Sequence, residues 1–346
     1  MRLLVVNYEM DDGSPVLAWQ AGVVRELARR ADRVAVLTER AGPCALPGNV
    51  AMETVPRTGR AGAIGRRAAA LGAAWRLARR ERVDAVFVHM AHRQAYRLWP
   101  VFRLLRLPVL LWYAHGAVTW HLRLAHRSVD RVISSSPEGF RLRSARAHFI
   151  GQGVDTQLFA LRPPVPARPH LLAVGRISRR KRLDLLVSMM AHLRGDGLTL
   201  RIVGPTLTGD DTAYEAALRH DVAAGHLPVE FLGPVPMDRL PGLYDTAALT
   251  LNVSETNSMD KAVLEALATG CPVLTSNPAF RQLLADHPAL VIEDERPEAI
   301  AAQLRALLAD SGAATPEDLR RLVEGHHDIR SYTDRVMAHL TAMTRR

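Results

Sequence analysis

Residues 249–275 read LTLNVSETNSMDKAVLEALATGCPVLT, and this stretch decides the fold class. It opens on a short apolar run, Leu249–Val253, of the length and composition of a buried strand. After a polar turn, Ser258 is placed to cap a helix, and Thr269-Gly270-Cys271-Pro272 supplies the glycine and nearby proline that end one. A second apolar run, Pro272–Thr275, follows at once. Strand, helix and strand in that order form a crossover unit, which joins parallel strands and covers one face of their sheet.

The same alternation extends in both directions. Toward the N-terminus of this half, His170–Gly175, Thr199–Gly204 and Val229–Gly233 read as strands, and beyond it Leu290–Ile292 reads as another. In the first half the strands are Arg2–Asn7, Arg33–Thr38, Ala85–His89, Val109–Tyr113 and Arg131–Ser134, with helical spacing over Leu17–Arg30 and Ala61–Arg82. Pro163, Pro164, Pro166 and Pro169 mark a linker, since proline neither donates to a sheet nor continues a helix. Two doubly wound α/β domains are therefore expected, residues 1–162 and 163–330. Thr315-Pro316-Glu317 reads as a helix start, and Ser331 as the cap of a last helix to Met343, within a segment 331–346 placed to pack back on the first domain.

Composition agrees with two ordinary globular cores: 346 residues, 48% hydrophobic and 23% charged. Two cysteines, Cys44 and Cys271, are too few for a disulfide framework or a cysteine metal site, which points to a reducing cytoplasm. The longest apolar run, Leu107–Ala114, is far short of the roughly 20 residues that span a bilayer, so a cytoplasmic protein, soluble or peripheral on the inner face of a membrane, is expected. Charge is uneven. Residues 1–160 hold 24 arginines against 12 acids, and residues 161–346 hold 21 Lys and Arg against 23 acids. All the net positive charge lies in the first half, which suggests an acidic partner there: an anionic membrane surface, a phosphorylated acceptor or nucleic acid.

Only two of the 45 basic residues are lysines, Lys181 and Lys261. Lys261 falls in the first turn of its helix, where the positive end of the macrodipole disfavours a cation unless an anion is present. It also precedes Glu265 by four residues, the weaker order for an intrahelical pair. Lys181 follows strand His170–Gly175 in a loop with Arg176, Arg179, Arg180 and Arg182. Guanidinium forks and a compact ammonium at a strand's carboxyl end suit a diphosphate.

Taken in order, these residues resemble the retaining glycosyltransferases of the GT-B fold, group 1 (family 4) class, over nearly the whole chain. Gly175-Arg176 with Lys181 matches the G-R-x4-K signature, and Glu265-Ala266-Leu267-Ala268-Thr269-Gly270-Cys271-Pro272-Val273 matches E-A-x-A-x-G-x-P-V. The resemblance implies two Rossmann-like domains facing across a cleft. Arg176 and Lys181 then hold the diphosphate of a nucleotide sugar, Glu265 the ribose hydroxyls, and the segments at Gly204 and Val235 surround the base. Gly13-Ser14 resembles the glycine loop near the donor phosphate, and His115 the histidine of the cleft, assigned to polarise or orient the donor sugar.

The departures concern the sugar. The family's paired-glutamate motif puts its first Glu where this chain has Asn257, and the glycine-rich turn is replaced by Ser258-Met259-Asp260-Lys261, similar to an S-x-D-K variant. Arg182 stands where a glycine usually follows the signature lysine, and the N-terminal Gly-Gly is only Gly13-Ser14. The implied reaction is metal-independent transfer of a sugar from a nucleoside diphosphate, with retention, to a glycan or lipid-linked acceptor in polysaccharide or glycolipid assembly. No cofactor is implied beyond the donor substrate. Asp11-Asp12 and Asp210-Asp211 read as loop turns rather than metal ligands.

The acceptor side is expected on the first domain. Arg57, Arg60, Arg66, Arg67, Arg76, Arg79, Arg80 and Arg82 surround Trp75, and Tyr96, Trp99 and Phe102 follow among Arg93, Arg97, Arg103 and Arg106, a pattern suited to an anionic membrane. A nucleic-acid-binding protein would need an aromatic RNA-binding signature or a recognition helix, and neither is present. A degenerate GT-B scaffold without activity, for which Asn257 is the sign, and a nucleotide-sugar epimerase are the alternatives.

Overall fold

The computed structural model describes residues 1–55, 62–161, 170–309 and 314–345. The chain divides into two compact units, Met1–Gly153 with Ile329–Arg346, and Val154–Asp328. The first unit contains strands β1 (Arg2–Met10), β2 (Arg33–Ala41), β3 (Val50–Thr54), β4 (Ala85–His89), β5 (Val109–Trp112), β6 (Arg131–Ser134) and β7 (Ala147–Phe149). They form one sheet in the order β3-β2-β1-β4-β5-β6-β7, and every pairing is parallel. Its helices are α1 (Trp19–Ala28), α2 (Ala63–Arg80), α3 (His92–Arg97), α4 (Trp99–Leu104) and α5 (Trp120–Arg127).

In β1 the consecutive residues Leu3, Leu4, Val5 and Val6 are all buried, as a strand covered on both faces requires. Successive side chains point to opposite faces. Leu4 and Val6 join a core with Leu77 of α2, Phe102 of α4 and Leu122 of α5, while Leu3 and Val5 join one with Val24 and Leu27 of α1. The second core also holds Tyr332, Val336 and Leu340 of the C-terminal helix.

The second unit carries strands β8 (His170–Val174), β9 (Thr199–Val203), β10 (Val229–Gly233), β11 (Leu249–Asn252) and β12 (Val273–Thr275). Their order is β10-β9-β8-β11-β12, again with parallel pairings. Helices α6 (Leu183–Ala191), α7 (Gly209–Ala224), α8 (Leu240–Asp245), α9 (Lys261–Ala268), α10 (Pro297–Ala309) and α11 (Pro316–Glu324) cover it, and α12 (Ile329–Thr344) returns to the first unit. Leu171 and Ala173 pack toward α6, α7 and α10, and Leu172 toward α8, α9 and α11.

The division falls at Gly153, ahead of the proline-rich stretch, whose four prolines lie outside the described residues. Val154 pairs with Asp328, and Arg320 donates to the carbonyls of Thr156 and Phe159 at 3.0 and 2.9 Å, which ties 154–161 to the second unit. Gly153 lies so close to Tyr332 that a Cβ would come within 2.8 Å of its ring. Arg30 is paired with Asp334 at 2.5 Å, and Arg335 donates to the Ile150 carbonyl at 3.0 Å.

Four local expectations change. Ser258 does not cap α9: the helix starts at Lys261 with Asp260 as the preceding residue, and the Asp260 side chain makes no capping bond, its carboxylate being turned to other partners described below. Ser331 lies inside α12 rather than at its cap, since the buried Ile329 already begins the helix. Leu290–Ile292 is a short 3-10 turn, Pro288–Leu290, followed by a single bridge between Val291 and Thr275. Asp210 and Asp211 belong to the first turn of α7, where Thr208 and Asp211 form a capping box. Among the described residues no helix is long and apolar enough to cross a membrane.

Both sheets share one topological feature. From β1 the chain winds outward through β2 and β3, then returns to the other side of β1 with β4; from β8 it winds through β9 and β10, then returns with β11. Each reversal leaves a crevice at the carboxyl ends of the central strands, where open α/β sheets bind ligands.

Candidate active site

The crevice of the second unit is built from the turn after β8 and the turn after β11. Gly175 and Gly204 follow neighbouring strands with φ of +146° and +144°, and a Cβ on Gly204 would lie 2.0 Å from the Gly175 carbonyl oxygen. Only glycine fits at Gly204. The strand ends are thereby held together: the Gly175 N–H donates to Val203 and the Gly204 N–H to Gly233, each at 2.9 Å. A Cβ on Gly175 would meet the Lys181 side chain at 3.3 Å, so this glycine gives the lysine its path.

The chain then makes a 3-10 turn over Arg179–Lys181 and enters α6 through Arg182 in the left-handed conformation, φ 50° and ψ 43°. Glycine adopts that conformation without strain, which explains why it is usual at this place. Here Arg182 is anchored by Glu295 at 2.7 Å and Glu255 at 3.4 Å.

Arg176, Lys181 and Lys261, three of the cations that the sequence assigns to a diphosphate, each have a carboxylate near them. Arg176 Nε lies 3.3 Å from Asp211 Oδ2. Burial would raise the Asp211 pKa, but the Leu207 backbone N–H, the Thr208 hydroxyl and Arg176 more than offset it and hold it below the usual range. Lys181 Nζ lies 2.8 Å from Asp260 Oδ2, with side-chain exposures of 17% and 11%. Asp260 also accepts from Asn252 Nδ2 at 3.0 Å and Thr256 Oγ1 at 3.2 Å. Burial opposes its ionisation, and Lys181, Asn252 and Ser254 outweigh that, so Asp260 is a carboxylate held below its ordinary pKa. Lys261 begins α9 one turn before Glu265, and burial pulls its pKa down to about 8 against the attraction of Glu265. Glu265 accepts from the Tyr244 hydroxyl at 3.1 Å; burial raises its pKa, with Lys261 and Tyr244 opposing.

The structure thus brings Gly175, Arg176, Gly204, Lys181 and Asp260 together around one crevice. The cavity lined by Gly175, Arg176, Lys181 and Asn252 is only about 10 Å³. Asn257 has φ 53°, which an asparagine tolerates in a tight turn, and its Nδ2 donates to the Glu255 carbonyl at 3.0 Å. The Ser258 carbonyl accepts from Asn277 Nδ2 at 2.9 Å. The Met259 side chain is buried in the core that also holds Val263 and Leu264. Val235 is partly buried against the same core.

Gly13 and His115 belong to the first unit. The Gly13 N–H donates to Asp11 Oδ1 at 2.9 Å in the turn after β1, and Ser14 Oγ donates to Glu9 at 3.0 Å. His115 follows β5, exposed, and its Nδ1 accepts the Ala117 backbone N–H at 3.1 Å. A neutral His115 ring therefore carries its proton on Nε2, as a hydrogen-bond donor. Phe102, expected at an acceptor surface, is a core residue with 1% exposure. Arg76 is paired with Glu53 at 2.7 Å and Arg80 with Glu81 at 2.9 Å; Arg57 and Arg60 lie outside the described residues. Asp12 is paired with Arg25 at 2.8 Å. Among the described residues no group of three His, Cys, Asp or Glu is placed to hold a metal.

The sequence marks Asp211 only as a turn residue and gives no sign of Asn252, Thr256 and Tyr244 as site residues. Thr208-x-x-Asp211 is a capping signal that was readable there. The partnerships of Asn252, Thr256 and Tyr244 join separate elements and leave no mark at short range.

Residues 168–310 match the family described as "Glycosyl transferases group 1". Over 120 residues the chain is 34% identical to a D-inositol 3-phosphate glycosyltransferase of Nocardia farcinica, covering 32% of this chain and 26% of the relative. Over 179 residues it is 27% identical to a mannosylfructose-phosphate synthase of Agrobacterium fabrum, covering 45% and 39%. The chain thus spans about a quarter to two fifths of the curated relatives it matches. Among solved structures, HepE of Anabaena in complex with UDP-glucose has TM-score 0.80 at 16% identity, covering 99% of this chain and 100% of that one. A sucrose-phosphate synthase of Thermosynechococcus elongatus has TM-score 0.77 at 17% identity, with coverages of 99% and 100%. Both likenesses show the fold. Residues 168–310 are thus similar to the group 1 glycosyltransferases, in a chain with the GT-B fold.

Proposed function

We propose that the protein is a retaining glycosyltransferase that moves a sugar from a nucleoside diphosphate sugar to a glycan or lipid-linked acceptor, without a metal. The observation that carries this reading is the Gly175-Arg176 turn with Lys181 at the β8/β11 switch point, inside the segment matched by the group 1 family. A neighbour in fold, HepE of Anabaena, forms a complex with UDP-glucose, which agrees with a nucleotide-sugar donor.

When the glycosidic bond to the diphosphate breaks, negative charge develops on the leaving oxygen. Arg176 and Lys181 stabilise it, in a site where donors are already aimed. Asp211 and Asp260 hold the two cations in place before the donor arrives, and the diphosphate takes the carboxylates' place as counter-charge. Glu265 accepts from the ribose hydroxyls, and its bond from Tyr244 fixes the carboxylate for that task. His115 donates through Nε2 to the transferred sugar. Lys261 supplies a second ammonium at the start of α9.

The test is release of nucleoside diphosphate from a panel of uridine, guanosine and adenosine diphosphate sugars. Release by the wild type and its loss in Arg176→Ala and Lys181→Ala support the reading; no release from any donor, with donors still bound, would leave a nucleotide-binding scaffold instead. Peripheral attachment to the inner face of a membrane fits the exposed Trp99, Leu104 and Trp120 of the basic first unit. Co-sedimentation with anionic vesicles at low salt, but not with neutral ones, is the expected result; equal binding to both would refute it.

A further inference from the structure

The first unit has an open cavity of its own. Its volume is about 400 Å³, a size typical of small-molecule sites, and it lies against the carboxyl-terminal parts of β1 and β2, the residue after β3, and helices α2 and α3. Arg66, Arg67, Arg93 and Arg97 line it, with Glu39 as the one carboxylate. Gln94 Nε2 donates to Glu39 at 2.5 Å, so that carboxylate is engaged by a neutral amide. Some arginines of this unit are matched to acids, as Arg25 is to Asp12, Arg33 to Glu81 and Arg76 to Glu53. Among the described residues Arg67, Arg93 and Arg97 make no ion pair.

Two further observations point to a missing anion. Arg66 and Arg67 are the fourth and fifth residues of α2, an 18-residue helix that contains no acid, near its positive end. Desolvation, with Arg93 and Arg97, also holds nearby His121 below its ordinary pKa. Concentrated like charge without a counter-charge costs free energy that a bound anion removes. The rest of the lining suits a polyol: the hydroxyls of Tyr8 and Tyr96 and the Glu39–Gln94 pair can meet hydroxyl groups, and Val55, Ala70 and Leu98 form an apolar wall.

We propose that this cavity binds a phosphate monoester or diester carried on a hydroxyl-rich ring, with the guanidinium forks of Arg67, Arg93 and Arg97 on the phosphate oxygens. Its role as the acceptor rests on the glycosyltransferase reading above; the anion binding does not. The phosphate could belong to a soluble sugar phosphate or to a phospholipid headgroup, which present the same oxygens to the cavity.

Calorimetric titration of the full chain at low salt, with glucose 6-phosphate, glucose and inorganic phosphate as probes, tests it. Glucose 6-phosphate should bind at least about tenfold more tightly than glucose, inorganic phosphate should compete, and the affinity should fall with salt. Arg93→Gln with Arg97→Gln should abolish this preference and leave binding of the nucleoside diphosphate sugar panel unchanged; Lys181→Ala should do the reverse. Arg93→Lys with Arg97→Lys should keep part of the preference, which separates lost charge from lost folding. Competition from vesicles of phosphatidylinositol in phosphatidylcholine would assign the phosphate to a headgroup, and absence of competition to a soluble ligand. Equal affinity for glucose and glucose 6-phosphate, or a preference untouched by the arginine variants, overturns the proposal. Failure of every nucleotide sugar to bind while glucose 6-phosphate still does would refute the donor reading alone.

Discussion

Replacing Lys181 by alanine should damage two properties at once, and a second substitution should separate them. Lys181 Nζ is 2.8 Å from Asp260 Oδ2, and both side chains are largely buried. Breaking one partner of a fully buried pair costs about 3–5 kcal/mol, and a charge-assisted hydrogen bond contributes about 1.5–3 kcal/mol net. Because Asn252 and Thr256 remain on the Asp260 carboxylate, the cost of Lys181→Ala should be near the lower figures, about 2–3 kcal/mol. Adding Asp260→Asn removes the stranded charge and should recover at least about half of that loss by the same accounting. Donor binding, lost in Lys181→Ala, should stay lost in the double variant.

The pH dependence has a definite sign. Asp260 is held below its ordinary value of 3.8 in the folded protein, so its contribution is present above that value and fades as pH falls through the lower folded pKa. The deficit of Lys181→Ala should therefore be full at pH 7 and shrink below about pH 4. Urea unfolding of wild type, both single variants and the double variant at each pH measures this. A Lys181→Ala deficit below about 0.5 kcal/mol, or a double variant as unstable as the single one, would refute the claim that Asp260 is held ionised by Lys181.

Gly204→Ala places a methyl 2.0 Å from the Gly175 carbonyl at a φ of +144°, so it should lose donor binding and at least about 2 kcal/mol of stability, read by calorimetry and urea unfolding. Arg182→Gly relieves left-handed strain but forfeits partly exposed pairs to Glu295 and Glu255; the opposing effects should leave stability within about 1 kcal/mol of wild type. Lys261, with a pKa lowered to about 8 by burial, should take up a proton when a diphosphate binds, so donor affinity should weaken as pH rises above 8. Titrations in buffers of different ionisation enthalpy would detect that uptake, and its absence would place Lys261 outside the diphosphate site.

Much of the fold is readable in residues 249–275, where a buried run, a helix and a Gly-x-Pro stop succeed one another within a single crossover. Strands such as β1 are equally plain, because burial on both faces demands an unbroken apolar run. The edge strands β3 and β7 are not, since one side of each is solvated and their residues, Val50–Thr54 and Ala147–Phe149, carry no such run. The cations of the donor crevice stand out in sequence by type and position. Their carboxylate partners do not, because Asp211 reaches Arg176 from the start of α7 and Asp260 reaches Lys181 from the turn before α9, each distant in sequence. The four-arginine cavity shows in sequence only as part of a longer basic stretch; folding separates Arg76 and Arg80, which find acids, from Arg93 and Arg97, which do not.

The most direct test of a nucleotide-sugar site at Arg176 and Lys181 is a thermal-shift titration with a panel of nucleoside diphosphate sugars. A ligand at 100 times its dissociation constant adds about 2.7 kcal/mol to the folded state. At least one donor should raise the unfolding temperature of the wild type and leave Lys181→Ala unmoved. Stabilisation of both proteins to the same extent, or of neither by any donor, would contradict it.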